Sequence, residues 1–182
     1  MERFVLTTVK TLVNNNMERR ILLRSIREDA TEFLGKIIGE RLTDGDLVVL
    51  DGDLGAGKTV ITRGIALGMG LEDRVASPTY TIVREYGNNS ELKLFHFDVY
   101  RLEGEEDFVH SGLDEYFGRS GVCVIEWGLR IASILPDERL SVLFSGRSDS
   151  RDIEIIATSR YFGLLDQVCA HLDLSTGLER LQ

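Results

Sequence analysis

Apolar positions fall along this chain in two rhythms, short continuous runs and stripes at helical spacing, and the two alternate. Residues 20–24 centre on Ile21, Leu22 and Leu23, which predicts a first strand. Ser25 and Glu28 follow at the spacing of a capping box. Phe33, Leu34, Ile37, Ile38 and Leu42 then give one apolar helical face. Residues 47–50, Leu-Val-Val-Leu, read as a strand buried on both faces, and Ile61, Ile65 and Met69 recur every fourth residue behind it. Residues 80–86 and 91–100 are extended segments joined by Gly87-Asn88-Asn89-Ser90, a hairpin signal. Acidic helical material over 103–117 breaks at Gly112, and Gly121 to Glu126 forms a second buried run ending in a carboxylate. A short helix over 129–135 stops at Pro136, residues 140–144 and 153–158 form a late antiparallel pair, and 164–174 a terminal helix.

Strands alternating with helices predict an α/β fold with a mostly parallel central sheet, helices on both faces and antiparallel edge strands. Its site belongs at the carboxyl edge of the buried strands. At 182 residues one domain is expected over 19–182, preceded by a loose polar tail over 1–18 that includes Asn14-Asn15-Asn16 and a second possible start at Met17. The apolar runs are too short for a membrane helix, and no secretory signal pattern opens the chain. Cys123 and Cys169 make no disulfide framework, and three scattered histidines lack zinc-ligand spacing, so a reducing, cytoplasmic setting without structural zinc is expected. A net charge of −9 argues against free-standing binding to nucleic acid, so any RNA is expected to be held by a partner.

The chemistry is concentrated in Gly52-Asp53-Leu54-Gly55-Ala56-Gly57-Lys58-Thr59, a G-x-x-x-x-G-K-T phosphate-binding loop. Its glycines permit positive φ and close approach of the backbone to a ligand, and its N–H groups form an anion cradle at the mouth of a helix that continues through Val60. Lys58 is expected on the β- and γ-phosphates and Thr59 on Mg²⁺. The strand before and helix after are the context that the motif requires.

Such a site needs carboxylates for its metal. Glu126, closing a buried strand, stands where a Walker B acid belongs, either on the metal or on the attacking water; an exposed strand-end acid is the plainer alternative. Asp98 shares a strand face with His96, opposite Phe95, Phe97 and Val99. A metal or water role competes there with a simple pairing to Arg101. Ser77-Pro78-Thr79-Tyr80-Thr81 is a stiff, hydroxyl-rich loop of the kind that orders on a triphosphate, or else a plain strand entry. Trp127 either stacks on a base or packs in the core.

Taken together with His96-Phe97-Asp98-Val99-Tyr100-Arg101-Leu102, Gly112-Leu113-Asp114-Glu115-Tyr116, Glu126-Trp127 and Leu135-Pro136, these motifs closely resemble the TsaE family over residues 21–156. The resemblance implies a P-loop ATPase of tRNA threonylcarbamoyladenosine biosynthesis that binds ATP and Mg²⁺ and acts on a TsaB–TsaD complex, meeting tRNA only through it. It implies phosphate contacts from Lys58, metal contacts from Thr59 and Glu126, support from Asp98, and Trp127 near the base. Glu28 and Thr31 match family positions close to the nucleotide. The competing reading is a P-loop kinase with Arg130, Arg139, Arg147 and Arg151 lining a lid. A GTPase is disfavoured, since neither N-K-x-D nor D-x-x-G occurs.

Overall fold

A computed structural model describes residues 9–13, 16–88, 90–146, 150–172 and 178–181. Its frame is one 9-stranded sheet. In chain order the elements are β1 (Val9–Val13), β2 (Asn16–Ser25), α1 (Glu28–Gly39), β3 (Leu47–Asp51), α2 (Lys58–Gly68), β4 (Val83–Tyr86), β5 (Leu94–Asp98), α3 (Glu105–His110), β6 (Val122–Glu126), β7 (Leu140–Ser145), β8 (Arg151–Ala157), α4 (Phe162–Ala170) and β9 (Leu178–Arg180). Across the sheet the order is β1-β2-β8-β7-β3-β6-β5-β4, with β9 also on β2. Strands β7, β3, β6 and β5 run parallel. All flanking pairs are antiparallel, so the antiparallel part reaches well beyond the edges.

The central strands read as unbroken apolar runs because both faces are covered. On one side α1, α2 and α4 bring Leu34, Ile38, Ile61, Ile65 and Leu165 onto Val48, Leu50, Val124 and Val142. On the other, α3 and two 3₁₀ segments, Leu113–Gly118 and Gly128–Ile134, bring Phe108, Leu113 and Ile131 onto Val49, Phe95, Phe97 and Ile125. Helices therefore cover both faces, as expected.

The two helices framing the loop are unusually close. Gly35 and Gly39 of α1 face Gly64 and Gly68 of α2, and a Cβ on any of them would overlap backbone of the opposite helix, the Glu32 carbonyl oxygen in the case of Gly64. This contact locks α2, and so the phosphate loop at its head, against the rest of the fold.

Several expectations need correction. Part of the anticipated loose tail is ordered as β1, which pairs with the first half of β2, Val9 opposite Arg20; residues 1–8 lie outside the described residues. The first strand is longer than 20–24 because β8 supplies a partner as far as Ser25. That extension dissolves the capping box: Arg27 occupies the N-cap position, with no side-chain cap. Ser25 instead donates to the Arg27 carbonyl (2.9 Å) and meets the Thr31 hydroxyl (2.8 Å). The terminal helix spans Phe162–Ala170, and the last residues expected in it, 173 and 174, are not described. The hairpin forms with Tyr86 opposite Leu94, but β4 begins only at Val83 because the Ser-Pro-Thr segment before it turns. Asn89 of its link is likewise outside the described residues.

Candidate nucleotide site

Strand β3 delivers the chain to the loop, and α2 carries it away. Gly52 sits at φ 137° with its missing Cβ against the Phe144 carbonyl, and Gly57 at φ 114° is the N-cap of α2. No other side chain fits both positions. The first N–H groups of α2 thus face out of the loop, free of intrahelical partners. Asp51 braces the entry, accepting from Gly52 N (2.8 Å) and from Leu129 N (3.1 Å).

Parallel register brings the acids to the same edge. Leu50 lies opposite Glu126 and Asp98 opposite Glu126, so the ends of β3, β6 and β5 are level. Thr59, one residue into α2, donates its hydroxyl to Glu126 Oε1 at 2.8 Å. His96 Nε2 meets the same oxygen at 2.9 Å. Asp98 Oδ2 accepts from Ser77 (3.1 Å) and Thr79 (2.6 Å), and its Oδ1 accepts from Tyr100 N at 3.1 Å. Its partners are the loop hydroxyls, while Arg101 stacks on the Tyr80 ring, 4.4 Å from its centroid. The loop itself is held by Pro78, whose carbonyl accepts from Ile82 N at 2.7 Å, and by a strained Ile82 at φ 64°. It is a turn over an acid, not a strand entry.

Lys58 is buried, and its ammonium donates to the carbonyls of Gly52 (2.6 Å) and Asp53 (2.9 Å). Burial holds its pKa below the usual lysine range, opposed by the carboxylates of Glu126, Asp51, Asp98 and Asp53. Trp127, itself at φ 64°, lays its ring over that ammonium, and Tyr100 packs on it at 4.9 Å. Its body also rests on the apolar core.

These groups enclose a cleft of about 270 Å³ lined by Leu54 to Val60, Ser77, Thr79, Asp98, Glu126 and Trp127. All of these residues were expected from sequence. Four other expected residues do not line the cleft itself. Gly52 and Asp53 serve through their carbonyls on Lys58, and Thr31 packs beneath Gly57. Glu28 is an exposed residue paired with Arg63 at 3.5 Å. His96 and Asp51 were not singled out. For His96 the signal was present, since it shares Asp98's strand face; for Asp51, a short acid just before the loop, it was weak. The kinase lid has no counterpart among the described residues: Arg130 binds the Leu102 carbonyl, Arg139 that of Pro136 and Arg151 that of Ser150, while Arg147 lies outside them.

A glycine loop between a buried parallel strand and a helix, faced by a strand-end acid, defines a P-loop NTPase fold. The family model described as "Threonylcarbamoyl adenosine biosynthesis protein TsaE" matches residues 25–153. The chain belongs to the TsaE family. The protein described as "tRNA threonylcarbamoyladenosine biosynthesis protein TsaE" of Bacillus subtilis (strain 168) is 40% identical over 159 residues, covering 86% of this chain and 99% of the relative. Its counterpart in Treponema pallidum (strain Nichols) is 41% identical over 137 residues, 75% and 98% of the two chains. The solved structure described as "Crystal structure of Bacillus subtilus YdiB" superposes with a TM-score of 0.71 at 36% identity, covering 85% of this chain and 97% of that one. The protein's role thus lies in tRNA threonylcarbamoyladenosine biosynthesis. Among the described residues no helix is long and apolar enough to cross a membrane.

Proposed function

We propose that the protein binds ATP with Mg²⁺ and hydrolyses it, working in the cytoplasm as a nucleotide-dependent switch on the TsaB–TsaD complex. In this reading tRNA is met only through that complex, in keeping with the net charge of −9. The observation that carries it is the bond between Thr59 of the loop and Glu126, 67 residues apart. It joins the hydroxyl and the carboxylate that a phosphate-bound Mg²⁺ takes in P-loop proteins. The donor set fits that ion: all oxygen, with Asp98 level with Glu126 across the sheet edge. Thr59 and Glu126 would hold Mg²⁺, and Asp98 would support it. Bound there, the ion neutralises negative charge on the phosphate oxygens.

The remaining work belongs to the chain. Loop N–H groups hold the phosphates, and Lys58 exchanges the Gly52 and Asp53 carbonyls for phosphate oxygens. Glu126 or Asp98 orients the attacking water. The Ser77–Thr79 loop, tied to Asp98, is the element that orders or relaxes with the γ-phosphate. Among the described residues no arginine lines the cleft, so turnover by the isolated chain is slow. A cationic group from a partner adds about 10³- to 10⁵-fold in comparable systems.

The test is phosphate release from ATP by the protein alone and with TsaB–TsaD. Strong stimulation that disappears in Glu126→Ala is expected. Fast hydrolysis by the lone protein, or none with the complex present, overturns the reading.

A further inference from the structure

We propose that His96 is a positioning residue for Glu126, fixing the carboxylate for its work at the nucleotide site; the inference rests on the function proposed above. His96 lies on β5 and is entirely buried. In the β5–β6 register it faces Val124, with Asp98 facing Glu126, so its ring reaches Glu126 along the diagonal of the sheet. The Nε2···Oε1 distance is 2.9 Å. A carboxylate only accepts, so Nε2 carries the hydrogen.

Oε1 of Glu126 thus receives two hydrogen bonds, from His96 and from Thr59. Among the described residues Oε2 takes none from protein, so Glu126, which lines the cleft, has one oxygen committed and one open. The two anchors are not equivalent. Thr59's hydroxyl would be the one to hold the metal, so its bond to Glu126 is replaceable. The bond from His96 is not, and it alone then keeps a flexible three-torsion side chain in one rotamer.

The other ring nitrogen carries a second argument. Nδ1 of His96 is buried without a hydrogen-bond partner. A buried polar atom left unpaired costs stability, and an apolar side chain of similar size would avoid that cost. Packing alone does not explain histidine at this position; the bond to Glu126 does. The imidazole is held by what its other nitrogen orients, as outer partners hold metal ligands elsewhere.

The experiment compares His96→Leu, which removes the donor, His96→Asn, whose amide is too short to reach Glu126, and His96→Gln, whose amide nitrogen takes the place of Nε2. Electron paramagnetic resonance of Mn²⁺, titrated into full-length protein with ADP, reads metal affinity directly, and ATP turnover with TsaB–TsaD gives kcat and KM. Outer partners of this kind are worth about 10- to 100-fold. Leu and Asn are expected to weaken Mn²⁺ binding and lower kcat about tenfold, with KM for ATP within about twofold, while Gln restores most of both. If Leu does not fold, the contrast between Gln and Asn still decides. Variants indistinguishable from wild type, or Gln as impaired as Asn, overturn the inference. Wild-type protein that takes up no Mn²⁺ with nucleotide overturns the underlying reading instead.

Discussion

The ammonium of Lys58 lies 3.8 Å from the centroid of the Trp127 ring. A cation over an indole face is held by the ring quadrupole, about 0.5–2 kcal/mol depending on desolvation. Together with the Gly52 and Asp53 carbonyls it keeps the lysine folded back on its own loop. A phosphate that draws Lys58 outward therefore changes the surroundings of the chain's 1 tryptophan. Intrinsic fluorescence is expected to shift on adding ATP, and the shift should vanish in Lys58→Ala while circular dichroism stays unchanged. An unchanged spectrum in wild-type protein saturated with nucleotide would contradict this.

The α1–α2 contact predicts a stability effect far from any ligand. Gly64→Ala pushes a methyl group into the backbone carbonyl of Glu32, and a Cβ has no rotamer that can relieve the overlap. Overpacking costs about 1–3 kcal/mol and occasionally more. Here the loss should fall at or above the top of that range, read as a lower urea midpoint. A helix-favouring alanine that instead stabilised the protein would show that the two helices separate freely.

Asp98 depends on its hydroxyl partners. Replacing Thr79 by Val removes the 2.6 Å bond and leaves Ser77 as the remaining hydroxyl. Turnover should drop about tenfold, with Ser77→Ala and Thr79→Val together worse than either alone. Nucleotide binding without metal should hardly change, since the proposed function puts the phosphates on α2 and its loop. Equal loss of binding and turnover would assign this loop to phosphate binding instead.

Acid sensitivity has a local source at the far end of the sheet. The hydroxyl of Thr158, then Arg160 N and the Ser159 hydroxyl, hold the Glu138 carboxyl below its usual 4.5. A carboxylate with a depressed folded pKa contributes stability in full above the unfolded value and loses it as pH falls through the folded one. Glu138 is exposed, so the contribution is modest, at most about 1 kcal/mol. Urea melts should show Glu138→Gln slightly weaker than wild type near neutrality and level with it once pH lies below the folded pKa. A constant gap across that range would rule the carboxylate charge out as the cause.

Much of the site was legible in sequence because its parts are local. The loop is eight consecutive residues, and the acids close apolar runs whose two-sided burial fixes where they end. What escaped is non-local. The bond from His96 to Glu126 depends on β5 lying beside β6 in one register, which no spacing encodes. The glycine pairs of α1 and α2 look like weak helix positions until the two helices are set face to face. Strand β1 is only 5 residues long and β9 only 3, so neither is long enough to carry a period to read. The capping box failed for a related reason: pairing with β8 kept Ser25 in the strand, and tertiary contact outweighed a local signal.

The central claim, that Thr59 and Glu126 complete a metal–nucleotide site on the phosphate loop, is tested most directly by calorimetric titration of ATP with and without Mg²⁺. Wild-type protein should bind more tightly with Mg²⁺, and Glu126→Ala should lose most of that gain yet keep its metal-free affinity. Binding that ignores Mg²⁺ in both proteins, or a gain that survives in Glu126→Ala, would contradict it.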